Sequence, residues 1–268
     1  MSLKATIVGS SHAAALKAAQ PGVLARFPDI DLGFFAAPGP LFRKLRFDPA
    51  RKCIGALDPQ EFSADELSLL RHLNGSDRIF LGRSDAVVLV GHDINETLNA
   101  RILSRFGVDD TAHDRPDRSL SMSAYRALMA EIGQASLPDS GWWHWDNPRL
   151  FVSPAPRIAE NCTEVGTRTV ASWVPLVENN MNVRNAFALY PAMLAEMYRD
   201  KGITFVANPD ETYGDIGLTK REYAEGAIYI RPGDHRANFD AKHMNARFGE
   251  LCLDGILRTI TAELALQG

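Results

Sequence analysis

The stretch Ala5-Thr-Ile-Val-Gly9-Ser10-Ser11-His12-Ala13 decides how this chain folds. Its apolar first half predicts a buried strand, Gly9 ends that strand, and the alanine-rich residues that follow favour a helix. A strand, a tight turn and a helix in this order place a side chain at the carboxyl end of a central strand, where open α/β sheets bind ligands. Ser11 is expected at the start of the helix, with its own N–H free to meet a developing negative charge.

Four further runs, each largely apolar, predict the rest of the sheet, namely 31–35, 85–90, 149–153 and 203–206. Helices are predicted from the capping-box pattern at Ser63, over 121–132, over 180–200 and from about Ala246. Pro191 is expected to kink or interrupt the helix over 180–200. Residues 109–119 are predicted to form a loop. Strands that alternate with helices indicate a parallel sheet covered on both faces. We therefore predict one α/β domain over residues 1–268, a three-layer α/β/α sandwich with a five-stranded parallel sheet.

The composition excludes several classes of protein. The 268 residues carry a net charge of −4 with no basic block, which argues against nucleic acid as a partner. No run approaches the ~20 apolar residues of a membrane span. The N-terminus enters a strand without a basic and apolar leader, and Cys53, Cys162 and Cys252 lack metal-ligand spacing. We therefore expect a cytoplasmic protein with reduced thiols and with neither a metal nor another cofactor.

The tail of the chain supplies what a serine nucleophile lacks. A serine needs a base within hydrogen-bond reach, and a histidine held by a carboxylate provides one. Asp240 and His243 stand three residues apart in one short turn before the last helix. Both side chains can therefore meet, and the turn is expected at the carboxyl edge of the sheet.

These two motifs together resemble the SGNH (GDSL-like) hydrolase superfamily. In that family an apolar strand leads to Gly-Asp-Ser, and the tail carries Asp-x-x-His, often followed by Asn. Here the motifs are Ile7-Val-Gly9-Ser10-Ser11 and Asp240-Ala-Lys-His243-Met-Asn245, with Ser10 in the slot of the family's aspartate. Motif order, spacing from the termini and chain length all fit, so the resemblance covers the whole chain.

The resemblance implies a fold and a set of roles. The sheet would have the strand order 2-1-3-4-5. Ser11 would be the nucleophile, His243 the base and Asp240 its partner. Gly39, after the second strand, would donate its N–H to the oxyanion beside the N–H of Ser11.

The chain departs from the family pattern after the third strand, where the family carries Gly-x-Asn-Asp. In Gly91-His92-Asp93 a carboxylate occupies the slot of the oxyanion-hole asparagine. An ionised carboxylate there would repel the oxyanion, and losing one donor costs about 10²–10³ in rate. Either His92 or Asn95 replaces the donor, or burial keeps Asp93 protonated, or the site does other chemistry. In one form of the replacement, Asp93 turns away as an end-of-strand cap while Asn95 points inward. We favour the last arrangement over burial, with Gly91, His92, Asp93 and Asn95 as the residues beside the oxyanion or substrate.

Several of these residues also have a structural interpretation. In that interpretation Ser11 is a helix N-cap without a catalytic role, His243 is a surface residue and His92 is a structural histidine. His12 is predicted as a first-turn helix residue rather than a base, and Asp93 as a metal ligand is disfavoured because no other ligand stands at the right spacing. Other candidates are the acid–histidine pair Asp234 and His235 and the cluster Trp142, Trp143 and Trp145, which favours packing over stacking on a sugar.

The leading hypothesis is a serine hydrolase that acts on a small acyl ester, such as an O-acetyl group on a sugar or a related metabolite. The nearest alternative is an acyltransferase with the same triad, in which a hydroxyl other than water resolves the acyl-enzyme. The alternative from another class is a binding module that kept the fold and lost turnover. The unusual sequence at Asp93 is the main support for that alternative.

Overall fold

The computed structural model describes residues 2–111, 118–138, 149–165, 168–231 and 240–265. The strands are β1 (Leu3–Gly9), β2 (Ile30–Ala36), β3 (Arg46–Asp48), β4 (Cys53–Gly55), β5 (Arg78–Phe80), β6 (Ala86–His92), β7 (Gly107–Val108), β8 (Ser119–Leu120), β9 (Arg149–Pro154) and β10 (Thr204–Phe205). The helices are α1 (Ala13–Leu24), α2 (Gly39–Phe42), α3 (Ala64–Asn74), α4 (Glu96–Leu103), α5 (Met122–Ala135), α6 (Val174–Glu178), α7 (Arg184–Arg199), α8 (Arg221–Ala224) and α9 (Ala246–Ala265).

The central sheet has five parallel strands in the order β10-β9-β6-β1-β2. In chain order of the five strands this is the predicted 2-1-3-4-5, so the expected topology is confirmed. The strand β1 lies between β2 and β6, and its residues Ile7 and Val8 are completely buried. A strand apolar on both sides needs cover on both faces, which is why these runs lack a polar alternation.

Helices cover the sheet in two packed pairs. The first and last helices, α1 and α9, pack against each other, and α5 packs against α7. Because crossovers between parallel strands are right-handed, α1 lies on one face of the sheet and α5 and α7 lie on the other. This arrangement is consistent with the predicted three-layer sandwich. The α1–α9 contact is close: a Cβ added at Gly249 would lie 2.1 Å from the carbonyl oxygen of Ala15.

A small antiparallel sheet, β3-β4-β5, lies in the chain between β2 and β6. Its three-residue strands are too short to produce a periodic pattern, so the sequence did not predict them. The helix predicted within this segment is confirmed. The Ser63 hydroxyl accepts the N–H of Glu66 at 3.2 Å, and the Glu66 carboxylate accepts the N–H of Ser63 at 2.9 Å.

Helix α7 continues through Pro191, so of the predicted kink or interruption the interruption does not occur. A proline has no N–H, so the carbonyl of Phe187, four residues earlier, loses its helical donor. The guanidinium of Arg157 supplies another donor, with Nη2 3.1 Å from that carbonyl oxygen. Arg157 itself is buried, and its Nε lies 2.9 Å from the carboxylate of Glu96 at the start of α4. The helix therefore passes the proline with its carbonyl satisfied by a side chain from elsewhere in the fold.

Within the described ranges, no helix combines the length and the apolar character needed to cross a membrane.

Candidate active site

The turn after β1 presents Ser11 at the carboxyl end of the central strand. Gly9 is needed for the close approach to β6, because a Cβ there would lie 2.9 Å from the carbonyl oxygen of Val90. The backbone then turns, and α1 begins two residues beyond Ser11, at Ala13. In the part of the chain that the structure describes, the N–H of Ser11 has no hydrogen-bond partner. The side chain of Ser11 is half-buried and its own N–H is unused, as the sequence predicted.

Ser11, His243 and Asp240 form a continuous chain of hydrogen bonds. Nε2 of His243 lies 2.9 Å from Oγ of Ser11, and Nδ1 of His243 lies 2.8 Å from Oδ2 of Asp240. The serine and the histidine are 232 residues apart in sequence. They meet because α9, which follows the Asp240–His243 turn, packs along α1, which follows Ser11. The predicted meeting of the three side chains is confirmed, and their catalytic roles stay a prediction.

The carboxylate of Asp240 accepts four hydrogen bonds from the described residues. Oδ1 accepts the backbone N–H groups of Lys242 at 2.7 Å and of His243 at 3.1 Å, while Oδ2 accepts the His243 ring and the hydroxyl of Tyr229 at 2.9 Å. Burial raises the pKa of Asp240, but the hydrogen bonds from the His243 ring and from the two backbone N–H groups outweigh burial and hold it well below its ordinary value. An ionised Asp240 favours the proton on Nδ1 of His243, which leaves Nε2 as the acceptor toward Ser11.

Two aromatic rings pack against the imidazole of His243. The ring of His12 stacks on it with a centroid distance of 5.4 Å and an interplanar angle of 22°, and the ring of Tyr229 lies at 5.1 Å and 57°. Burial, and then the neighbouring His243, lower the pKa of His12 to about 3. Its Nδ1 is covered and has no partner among the described residues. His12 is therefore a neutral neighbour of the candidate base, which agrees with the prediction that it is not itself the base.

Sequence reasoning missed Tyr229 altogether. It lies 11 residues before Asp240, outside any helix or strand and outside any recognised motif. A tyrosine between two isoleucines is typical of core packing, so only the fold shows that its hydroxyl reaches the carboxylate.

The structure places Gly39 near the same edge of the sheet. Gly9 and Ala36 are register partners at the ends of β1 and β2, and the N–H of Ala37 donates to the carbonyl of Gly9 at 3.2 Å. Gly39 follows two residues later at the first position of α2, and its N–H is without a partner in the described part of the chain. The position fits the predicted donor, and the role of Gly39 stays a prediction.

Gly91 brings the end of β6 against the Ser11 turn. Its φ is +71°, and a Cβ there would lie 2.7 Å from Oγ of Ser10 and 2.9 Å from Cβ of His12. Only glycine permits this approach without displacing the turn that carries Ser11. The predicted proximity of Gly91 to the site is therefore confirmed as a packing contact.

His92 and Asn95, the predicted replacement oxyanion donors, both bond to Ser136. Nε2 of His92 donates to the carbonyl of Ser136 at 2.5 Å, and burial lowers the pKa of His92, which keeps its ring neutral with a single N–H already in use. Nδ2 of Asn95 donates to the hydroxyl of Ser136 at 3.0 Å. The buried Ser136 at the end of α5 thus holds both side chains and uses one N–H of the Asn95 amide, and the role of Asn95 as an oxyanion donor stays a prediction.

Asp93 adopts the end-of-strand arrangement that the sequence favoured. Its Oδ1 accepts the N–H of Asn95 at 2.8 Å, which closes a turn at the end of β6. The alternative in which burial keeps Asp93 protonated is wrong, because Asp93 is exposed. The carboxylate thus serves the backbone of its own loop.

Other candidate groups give no rival site in the described residues. Cys53, Cys162 and Cys252 are buried and unpaired, and burial raises the pKa of the Cys162 thiol to about 11, which disfavours a thiolate nucleophile. Among the residues described, no three histidine, cysteine or acidic side chains are grouped as metal ligands. The pair Asp234 and His235 and the tryptophans 142, 143 and 145 lie outside the described residues.

The chain has no significant match among protein-family models, curated proteins or solved structures. The resemblance to SGNH hydrolases therefore stays a prediction from its two motifs.

Proposed function

We propose that this protein is a serine hydrolase of the SGNH type that cleaves a small acyl ester, with an O-acetyl group on a carbohydrate or related metabolite as the expected substrate class. The observation that carries the proposal is the unbroken hydrogen-bonded series from Ser11 through His243 to Asp240, with distances of 2.9 and 2.8 Å. Both distances are within the range of a working nucleophile and base.

The proposed reaction proceeds through an acyl-enzyme. Oγ of Ser11 attacks the ester carbonyl while Nε2 of His243 takes the hydroxyl proton, and Asp240 stabilises the imidazolium that forms. The tetrahedral intermediate expels the alcohol, which receives that proton from His243. Water then attacks the acyl-enzyme, again giving its proton to His243, and the acid leaves as Ser11 recovers its proton. No metal or other cofactor is needed in these steps.

The oxyanion in this proposal is held by backbone donors. The N–H groups of Ser11 and Gly39 have no partner among the described residues, and both stand at the carboxyl edge of the sheet. Such preorganised donors stabilise the charge that develops on the carbonyl oxygen.

The hydroxyl of Ser11 argues against the interpretation of this residue as a simple helix cap. A capping serine gives its oxygen to a free N–H in the first turn of its helix. Here α1 has His12 in the N-cap position with no side-chain cap hydrogen bond, and the Ser11 hydroxyl is paired with His243.

A non-catalytic binding module is the second candidate, favoured by one observation. The side chains of His92 and Asn95 are both bonded to Ser136, so the loop after β6 offers no free imidazole N–H to an oxyanion, and its one carboxylate is exposed. An acyltransferase shares the triad and differs only in the acceptor that resolves the acyl-enzyme.

Reaction with a fluorophosphonate tests the proposal. The reagent forms a bond from phosphorus to the serine oxygen and releases fluoride, so it reports an activated nucleophile without the natural substrate. We expect labelling at Ser11, loss of labelling in Ser11→Ala, and retained labelling in the neighbouring control Ser10→Ala. A folded wild-type protein that remains unlabelled would favour the binding module. If the label is found, hydrolysis of p-nitrophenyl acetate in preference to longer acyl esters would support the expected small acyl group.

A further inference from the structure

We propose that Tyr229 is a positioning residue of the triad, a role that rests on the proposed function. Its hydroxyl donates to Oδ2 of Asp240 at 2.9 Å, the same oxygen that accepts Nδ1–H of His243 at 2.8 Å. The hydrogen-bonded series therefore extends beyond Asp240 to Tyr229.

The bond from Tyr229 differs in origin from the others on Asp240. Both bonds to Oδ1 come from the backbone of the same short turn, and the ring on Oδ2 belongs to His243 of that turn. Among the described residues, the Tyr229 hydroxyl is the one group that reaches the carboxylate from a different segment. The backbone bonds of the turn hold Oδ1. The Tyr229 bond holds Oδ2 without relying on His243, the residue that Asp240 is proposed to orient. Hydrogen bonds to a charged acceptor are the strong class, so this one can hold a carboxylate orientation.

The aromatic ring of Tyr229 makes a second contact with the same unit. Its centroid lies 5.1 Å from that of His243, at an angle of 57°. The hydroxyl therefore orients Asp240 while the ring restricts the imidazole. A residue that only filled space would need neither the polar contact nor its convergence with the His243 bond on one oxygen.

Backbone hydrogen bonds fix the Tyr229 segment to the triad turn. The N–H of Ile228 donates to the carbonyl of Met244 at 3.1 Å, and the N–H of Asn245 donates to the carbonyl of Tyr223 at 2.8 Å. The side-chain amide of Asn245 adds bonds to the carbonyls of Glu222 and Glu225 at 2.8 and 2.9 Å. These bonds join the segment to Met244 and Asn245, the two residues directly after the triad histidine, so the hydroxyl of Tyr229 is presented from a fixed backbone.

The test is Tyr229→Phe, which removes the hydroxyl and keeps the ring. The matched control is Tyr223→Phe in the same segment, since the ring of Tyr223 packs on Phe248 at 5.9 Å and makes no contact with Asp240. We measure the fluorophosphonate reaction at several reagent concentrations, which separates reagent binding from the bond-forming rate constant. We also record the low-field proton resonance of Nδ1–H of His243 by NMR.

We expect Tyr229→Phe to slow bond formation about tenfold with reagent binding unchanged, the scale of one charge-assisted hydrogen bond felt in the transition state. The His243 resonance should move in Tyr229→Phe and stay in place in Tyr223→Phe. An unmoved resonance overturns the proposal, and so does an unchanged labelling rate in a wild-type background that labels. If the wild type does not label, the proposed function fails, and the resonance alone decides whether Tyr229 positions the triad.

Discussion

Replacing His12 by leucine should remove a specific loss of stability in acid. Nδ1 of His12 is covered and has no partner in the described part of the chain, and its ring is stacked on His243. Burial, and then the neighbouring His243, lower the pKa of His12 to about 3, from an ordinary value of about 6.5 in an unfolded chain. Leucine fills a similar volume with an apolar side chain and cannot take a proton.

The sign of the effect follows from which state binds the proton. Below about pH 6.5 the unfolded chain protonates His12 and the folded chain does not, until the pH approaches about 3. The unfolded state therefore gains free energy of protonation, and stability falls as the pH falls through this window. At pH 5 the difference amounts to about 2 kcal/mol from this one residue, with no contribution left above pH 8.

Other groups do not obscure the comparison. Burial also lowers the pKa of His92, but His92 is present in both the wild type and the variant, so its loss of stability in acid is the same in both. The lowered pKa of Asp240 acts only in stronger acid than pH 5. The difference between the two proteins across pH 8 to 5 therefore isolates His12.

Urea unfolding at pH 8 and at pH 5 measures the effect. The wild type should lose about 2 kcal/mol more than His12→Leu between the two pH values, whatever the difference between them at pH 8. Equal losses in the two proteins would refute the reasoning, because they would mean that His12 takes up a proton in the folded state as readily as in the unfolded state. In the proposed mechanism a neutral His12 matters because a second positive charge beside His243 would oppose the imidazolium.

Three further predictions concern the triad, the loop after β6 and the helix pair. Asp240→Asn should leave measurable labelling of Ser11, whereas Ser11→Ala leaves none, because an orienting acid costs less than the nucleophile; mass spectrometry of the labelled protein compares them. Asp93→Asn keeps the acceptor that closes its turn and removes a negative charge, so labelling should accelerate about fivefold, and a loss at every pH would reveal a direct role for Asp93. Gly249→Ala should destabilise the fold by about 1–3 kcal/mol, since the added Cβ would lie 2.1 Å from a carbonyl oxygen of α1. Gly255→Ala, in open space on the same helix, should stabilise the fold by about 0.5–1 kcal/mol. Urea unfolding measures both changes in stability, and the same sign for both would contradict the packing.

The sequence predicts the central sheet because its signals are local. The run predicted at 85–90 is apolar in every position after Asp85, and the structure has a strand at Ala86–His92. The capping box at Ser63 is visible in four consecutive residues and forms as expected. The meeting of Ser11 with the Asp240–His243 turn was also predictable, since each half is a short motif and the topology brings both to one edge of the sheet.

The features that the sequence left out depend on contacts between distant segments. Tyr229 reaches Asp240 because backbone bonds fix its segment to the triad turn, and no local pattern marks such a bond. The side chains of His92 and Asn95 both bond to the buried Ser136 at the end of α5, 41 to 44 residues away, and no local pattern shows these bonds. Sequence reasoning placed these side chains correctly at the end of the third strand, and long-range contacts then decided which way they point.

The loop after β6 shows how the chain accommodates a carboxylate where the resemblance implies an oxyanion donor. Gly91 supplies the close approach to the Ser11 turn, while Asp93 accepts a backbone N–H and faces solvent. The loop therefore holds the Ser11 turn in position, but the Asp93 side chain gives the oxyanion no hydrogen-bond donor. In the proposed enzyme the oxyanion then depends on the N–H groups of Ser11 and Gly39, so losing the third donor reduces the rate by about 10²–10³ without removing the nucleophile. Covalent labelling of Ser11 is therefore a sharper test of this site than turnover, because it reports the activated nucleophile without needing the natural substrate.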